Sequence, residues 1–411
     1  MRNIWAAVAG FAPVLATVAT LAPIAGAAHT GIGIVVLGAA VSLMSARSAH
    51  ARSPWRLLLV PVGAVVIATF AVLFHTAHAF GDAFFVVTVA AATAARALGP
   101  AAGRFGRALI LPLIGMLIAP INPGPHPLRT LAWATLAVFV AEVYGLLRVQ
   151  PAEEELPSTA APRIHAWRAA QSALALTLAF TIGQTVFGEH WAWTVISAYT
   201  VGAAARSRGD ALLKGAHRTL GALGGTAVAT CLTLLIGDHR QVAVALLLAI
   251  LAAAFSLRQY GYAWWAAGVT AALALLYSLL GVSGTEALPL LGTRLLAVFV
   301  GALCAILPAT LLAPIRTGAV LHKRTAETLR SARDGDYALA VRQVGALREA
   351  AQPLLAIRRF RERRELAWVD ALTGALPDLR ALSADPADTV ALGRVRTTLK
   401  AVGTDLKAAV S

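Results

Sequence analysis

The sequence predicts an all-α polytopic membrane protein. About twelve transmembrane helices are expected, as two parallel six-helix repeats closed by a C-terminal cytoplasmic helical bundle. Three observations predict it. Of 411 residues, 58% are hydrophobic and 13% charged, with a mean hydropathy of +0.71. A soluble domain carries roughly 25% charged residues, so this chain needs lipid as its solvent. Apolar runs also recur along the chain between short polar breaks. Finally, basic residues are abundant in alternate breaks and scarce in the others.

The apolar runs are Ile4–Ala25, Thr30–Met44, Leu57–Phe74, Ala83–Ala95, Ala108–Ala119, Thr130–Leu147, Ala169–Val186, Trp191–Ala205, Thr219–Ile236, Gln241–Leu257, Tyr262–Leu280 and Pro289–Pro314. A crossing helix needs about 20 residues. The shorter runs therefore cross by extending at their ends, by tilting, or only in part. Arg2, the first run and Ala25-Gly26-Ala27 resemble a secretory signal with a cleavage site. The run is long enough to span, and an uncleaved first helix is expected.

Alternate connections, beginning at the N-terminus, hold 15 Arg and Lys residues, among them Arg47, Arg52 and Arg56, and then Arg206, Arg208, Lys214 and Arg218. The remaining connections hold three, Arg129, Arg240 and Arg294. The positive-inside rule then puts both termini in the cytoplasm; the expected location is the plasma (inner) membrane of a bacterial cell. The net charge of +15 reflects this bias, and no nucleic-acid partner is expected.

Residues 1–149 and 169–315 read as the two repeats. His29–Ala119 and His190–Leu280 share a layout at an offset near 161 residues. Each has a His, an apolar helix, a basic loop (Ser45–Arg56 or Arg206–Arg218), further apolar helices, an Arg (Arg96 or Arg258) and a Gly turn (Gly99-Pro100 or Gly261). An even number of helices per copy makes the copies parallel. Residues 150–168, with Glu153-Glu154-Glu155 and three prolines, read as a short cytoplasmic linker.

Residues 316–411 hold eleven of the twenty acids and read as a cytoplasmic tail. Helices are expected over Leu321–Arg333, Tyr337–Glu365 and Leu366–Leu382. Asp385-Pro386 is expected to open another as cap and first-turn proline. Five arginines in Ile357–Glu365 (Arg358, Arg359, Arg361, Arg363, Arg364) form either a solvated face or a contact for anionic lipid. The tail is expected to pack as a bundle and to mediate homo-oligomer formation.

Chemistry-bearing positions are few. Cys231 and Cys304 sit in apolar runs as small core residues. No Cys/His spacing suits a metal, so neither metal nor cofactor is expected. No catalytic motif appears in a fitting context, whether G-x-S-x-G, H-E-x-x-H or a phosphate-binding loop. Glu142 is the acid placed inside an apolar run. An intramembrane carboxylate is a proton-coupling candidate by default, unless it reaches Arg148 at the interface. Glu189 and His190 form a second titratable pair, at the outer mouth. Trp191 and Trp193 are either interfacial aromatics or, with Thr194, Ser197 and Thr200 near one helix face, the lining of a solute pathway. Arg206 and Arg218 are either topology determinants or attractors of organic anions. Gly221, Gly224 and Gly225 suit close helix packing.

Within Trp191–Leu232 the chain reads WAWTVISAYTVGAAARSRGDALLKGAHRTLGALGGTAVATCL. This resembles the fusaric acid resistance-like (FUSC) and aromatic acid exporter family. The shared pattern is an aromatic-rich helix, a basic loop, then Arg-x-x-Gly-x-x-x-Gly, here Arg218, Gly221 and Gly225. The resemblance implies a transporter that exports small organic or aromatic anions, driven by protons. The alternatives are a passive anion channel, which needs no titratable group, and a non-transporting envelope or assembly protein whose tail does the binding.

Overall fold

The computed structural model describes residues 2–29, 33–45, 59–118, 127–146, 162–203, 205–236, 240–257, 261–279, 287–358 and 364–408. Among these the protein is all-helical, with no strand. It divides into two compact units. The first comprises Met1–Ala203 and Gly215–Pro308, the second Ala204–Lys214 and Ala309–Ser411.

The first unit is built from α1 (Arg2–Ala27), α2 (Gly33–Ser45), α3 (Leu59–Thr76), α4 (His78–Ala94), α5 (Pro100–Ile118), α6 (Pro127–Leu146), α7 (Pro162–Phe187), α8 (Ala192–Gly202), α9 (Arg208–Ile236), α10 (Arg240–Leu257), α11 (Tyr262–Leu279) and α12 (Ala287–Leu311). The first turns of α9 and the last residues of α12 are assigned to the second unit. Every expected apolar run falls on one of these helices. Four stretches are long and apolar enough to cross a membrane: His78–Leu98, Leu128–Gly145, Arg163–His190 and Gly292–Leu311. Four shorter apolar helices accompany them, over Ala12–Ala27, Val60–Thr76, Gln241–Leu257 and Tyr262–Leu275.

Prolines at the first positions of α5, α6 and α7 fit the rule that the first turn wastes no donor on proline. This also moves one boundary. The expected linker ended at Arg168, but α7 is helical from Pro162, and residues 150–161 lie outside the described residues.

Buried faces in this unit rely on small side chains. Ala134, Ala137 and Ala141 of α6 are fully buried at helical spacing, beside larger residues such as Leu37, Ile67 and Phe70. Val65, Phe139, Leu223, Leu303 and Leu307 point outward, which suits a lipid surround. Cys304 is buried and Cys231 exposed. Two glycines 162 positions apart, Gly99 (φ 120°) and Gly261 (φ 152°), take the positive φ that a side chain would oppose. They stand just before α5 and α11. Gly106 and Gly268, also 162 apart, press against Ala92 and Ala254 of the preceding helices.

The second unit packs α13 (Thr317–Arg333), α14 (Tyr337–Ala356), α15 (Arg364–Gly374), α16 (Leu376–Ala384) and α17 (Thr389–Ala408) around Leu321, Val344, Leu347, Trp368, Leu372, Leu379 and Val395. Three expectations are corrected. α14 ends at Ala356, well before Glu365, because Arg358 turns out to clamp Asp370 with two hydrogen bonds of 3.3 and 2.7 Å. Continuing the helix would also stack like charges one turn apart. The expected helix Leu366–Leu382 breaks at Ala375, where Pro377 cannot donate to the preceding turn. Asp385 caps only a turn, accepting from Ala387 N (3.0 Å). It is Asp388 that accepts from Val390 N and Ala391 N (3.0 Å each) and starts α17. Arg359, Arg361 and Arg363, expected on a solvated face or a lipid contact, lie outside the described residues.

Candidate functional site

Helix α8 is the centre of the site. Its 11 residues span about 16 Å at 1.5 Å per residue, roughly half of a hydrocarbon core of about 30 Å. Trp193–Ala198 and Val201 are all buried, as expected of a helix that is apolar all round and enclosed by neighbours. It follows α7 through a tight 3₁₀ turn, Gly188–His190, with Gly188 at φ 52°. Glu189 is exposed in that turn and His190 is half-buried.

Trp191 and Trp193 are two residues apart and therefore face different neighbours. Trp191 completes a closed ring of five aromatic side chains. Phe70 and Phe74 come from α3, Phe85 from α4 and Phe180 from α7. The successive centroid distances are Phe70–Phe85 5.7 Å, Phe85–Phe180 5.6 Å, Phe180–Trp191 5.4 Å, Trp191–Phe74 5.3 Å and Phe74–Phe70 5.6 Å. All lie in the range of favourable aromatic pairs. His78 stands edge-on to Phe74 at 4.9 Å. One helical turn further along α4, Asp82 accepts a 2.7 Å hydrogen bond from Gln184 Nε2 of α7 through its Oδ2.

Trp193 is covered by a cation. Arg294 of α12 places its guanidinium carbon 4.0 Å from the centre of the Trp193 ring, and its Nη2 donates to the Thr270 carbonyl of α11 at 3.1 Å. Arg294 is only 4% exposed. The sequence expectation put this arginine in an outer connection. It lies inside α12, within the membrane-length stretch Gly292–Leu311. A desolvated cation over indole is worth about 2 kcal/mol, less than the several kcal/mol that desolvating a charge costs.

Thr194 and Ser197 face α12 at Gly301, where a Cβ would collide with the Thr194 carbonyl and approach Ser197 Cβ at 2.9 Å. Their hydroxyl oxygens, and that of Thr270, are buried without a hydrogen-bond partner among the described residues. Thr200 is satisfied by the Ser197 carbonyl at 3.1 Å. Trp193, Thr270 and Arg294 thus form one buried group, and Thr194 and Ser197 lie on the same short helix as Trp193.

The other candidates lie elsewhere. Arg206 belongs to the second unit, where it pairs with Glu349 at 2.6 Å. Its neighbourhood is a helix start. Ser207 accepts from Asp210 N (3.3 Å), while Asp210 accepts from Arg206 N (2.8 Å) and from Lys214 (2.8 Å). Burial pushes the Lys214 ammonium below the usual lysine range, and Asp210 opposes that shift. Ser207 also bonds Thr317 (3.0 Å), and Arg208 N donates to the Ile315 carbonyl (3.0 Å). Arg218 lies in the first unit and is 4% exposed, its Nε without a partner among the described residues. Gly221 and Gly225 press against Ala263, Ala266 and Ala267 of α11, whereas Gly224 meets open space. Glu142 is half-buried on α6, three residues from the end of the stretch Leu128–Gly145 rather than deep within it.

Sequence reasoning missed the aromatic ring, Asp82 with Gln184, and Arg294 with Trp193. Their partners are about a hundred residues apart in the chain, and no local spacing signals them.

The fold and the site define a helical membrane protein with a cation buried beneath an aromatic face. Residues 172–307, from within α7 to within α12, match the family model described as fusaric acid resistance protein-like. That family is one of membrane transport, and the matched stretch includes Trp193, Thr270 and Arg294. No curated protein and no solved structure matches the chain.

Proposed function

We propose that the protein is a proton-driven exporter of small aromatic anions in a bacterial plasma membrane, with both ends in the cytoplasm. The observation that carries this reading is Arg294 buried against Trp193. A fixed cation attracts a carboxylate, an indole face stacks an aromatic ring, and the spare hydroxyls of Thr194, Ser197 and Thr270 supply donors. Sites of this kind combine an apolar lining with a few placed polar groups.

Two further observations support it. α8 is short, at 11 residues, and the paired glycines 162 positions apart echo the offset between the two proposed six-helix copies. Interrupted segments at matching places in repeats are where transporters hold their solutes. The α8–α9 connection and the C-terminal helices also share one unit. That agrees with an even number of crossings between them and with a cytoplasmic tail. Glu142, Glu189 and His190 are titratable candidates for coupling. One proton crossing 100 mV releases about 2.3 kcal/mol, enough for roughly a 50-fold gradient at about 1.4 kcal/mol per tenfold.

The test is uptake of a panel of aromatic carboxylates into inside-out vesicles, with pH recorded. Carboxylate accumulation with proton movement is expected, and Arg294→Gln should weaken apparent affinity at least tenfold while Trp193→Leu weakens it several-fold. Flux that follows voltage without proton movement would mark a passive anion channel. No flux of any carboxylate would refute the exporter reading.

A further inference from the structure

The aromatic ring carries a polar edge that the anion site does not use. On α4, His78, Asp82 and Phe85 recur at intervals of four and three residues and so share one face. On α7, Phe180 and Gln184 are four apart and share the facing surface. The two helices meet in layers, with Phe85 on Phe180 at 5.6 Å and Asp82 on Gln184 at 2.7 Å.

Asp82 is unevenly satisfied. Its Oδ2 takes the Gln184 hydrogen bond, while its Oδ1 is buried with no hydrogen-bond partner among the described residues. An ionised carboxylate leaves that oxygen's charge uncompensated, which burial makes costly. A proton on Oδ1 removes the cost and leaves the Gln184 bond intact. Of the titratable groups around it, His78 is within electrostatic reach and favours the ionised form. From α3 the titratable group at this end is His75, whose ring Nδ1 lies 2.8 Å from the Ala71 carbonyl. From α4 it is His78, one turn away and within electrostatic reach of Asp82. α7 carries no charged side chain beyond Arg168, and the turn after it carries Glu189 and His190. The α5 arginines, Arg104 and Arg107, follow Gly99 at the opposite end of α4.

We infer that Asp82 is the outward-side proton acceptor of the exporter, binding and releasing its proton at Oδ1 beside the aromatic ring, with His78 handing protons to it. This rests on the exporter reading for the direction of flow. An exporter driven by inward proton movement needs an acceptor at its outer end, and in the proposed orientation the end of α3, the start of α4 and the end of α7 are all outward. The layered contact also links proton and solute. Asp82 is joined through Gln184 to α7, and α7 reaches Trp191 through Phe180. Protonation at Asp82 turns the charge-assisted Gln184 bond into a neutral one, and so weakens without breaking the hold of α4 on the helix that backs α8.

The experiment uses the full chain in lipid vesicles and two readouts. The first is labelling by dicyclohexylcarbodiimide, an apolar reagent selective for protonated carboxyls, located by peptide mass spectrometry. Asp82 is expected to label, with a yield that falls at least tenfold as pH is raised across its titration. The second is transport. Asp82→Asn is expected to lose at least tenfold of pH-driven accumulation of an aromatic carboxylate, yet to keep counterflow exchange of preloaded solute. Asp82→Glu should restore a measurable part of the accumulation. Counterflow guards against misfolding, and labelling of the parent chain needs no variant. Absence of label on Asp82 at every pH overturns the inference, and so does full accumulation by Asp82→Asn. If the parent moves no carboxylate but Asp82 labels with this pH dependence, the exporter reading falls and the proton-exchanging carboxyl stands.

Discussion

The two units use the same residue types in opposite ways. In the second unit Leu347, Leu372, Leu379 and Trp368 are buried, and the exposed positions hold ion pairs such as Arg358–Asp370 and Arg394–Asp378. In the first unit Val65, Phe139, Leu223 and Leu303 face outward, while glycine and alanine make many of the close helix contacts. Water drives leucine inward and rewards charge outside. Lipid does neither, so helices there associate where small residues let their backbones approach. The difference teaches where chemistry is visible. An arginine on the second unit's surface needs no explanation, whereas Arg294 inside α12 does.

Three tests, with four substitutions between them, sharpen or break this contrast. The largest effect is expected from Leu372→Ala, at a fully buried position of the second unit. A cavity in a water-driven core costs about 2–5 kcal/mol. It should appear as early loss of hydrogen-exchange protection across α13–α17 in the full chain, and protection equal to the parent's would mean this unit lacks a packed core. Next comes one change made in both units. Leu303→Arg on the outward face of α12 should cost about 2.5–3.5 kcal/mol of insertion, whereas Val390→Arg, 63% exposed on α17, should stay within about 0.5 kcal/mol. Comparing membrane-inserted yields of the two variants measures the gap, and equal yields would erase the distinction between the surfaces. The smallest effect is expected from Asp388→Ala, which removes the α17 cap and should cost about 1 kcal/mol. Thermal unfolding followed by proteolysis of α17 reads it. An unchanged α17 would return the capping role to Asp385.

The positions of the helices were legible because hydropathy reports the solvent each segment occupies. Close packing was expected at Gly221, Gly224 and Gly225, since two glycines four apart leave a flat strip on a helix; that α11 is the partner, and that Gly224 meets open space, was not legible. The lone buried arginine was misjudged for a physical reason. Arg294 lies near the start of its apolar run, where a charge ordinarily marks the interface, and its partner Trp193 is about a hundred residues earlier. Asp82 was hidden in the same way, because only the packing of α4 on α7 brings Gln184 to it. Arg206 misled because a basic loop reads the same whether it faces solute or caps a helix. Glu349, Ser207 and Asp210 tell the two apart.

The second unit is assembled from pieces distant in the chain, Ala204–Lys214 and Ala309–Ser411. This imposes an order of events during synthesis. At about 5–20 residues per second, the ribosome makes the short piece and then spends roughly 5–20 s on the membrane segment Gly215–Pro308. Only afterwards does it deliver Thr317 and Glu349. Through that interval Ser207, Asp210 and Lys214 have one another, since their bonds are local. The bonds of the capping cluster thus need none of the residues made after the membrane segment. A segment made after four helices of the membrane body completes a unit whose first segment was made before them.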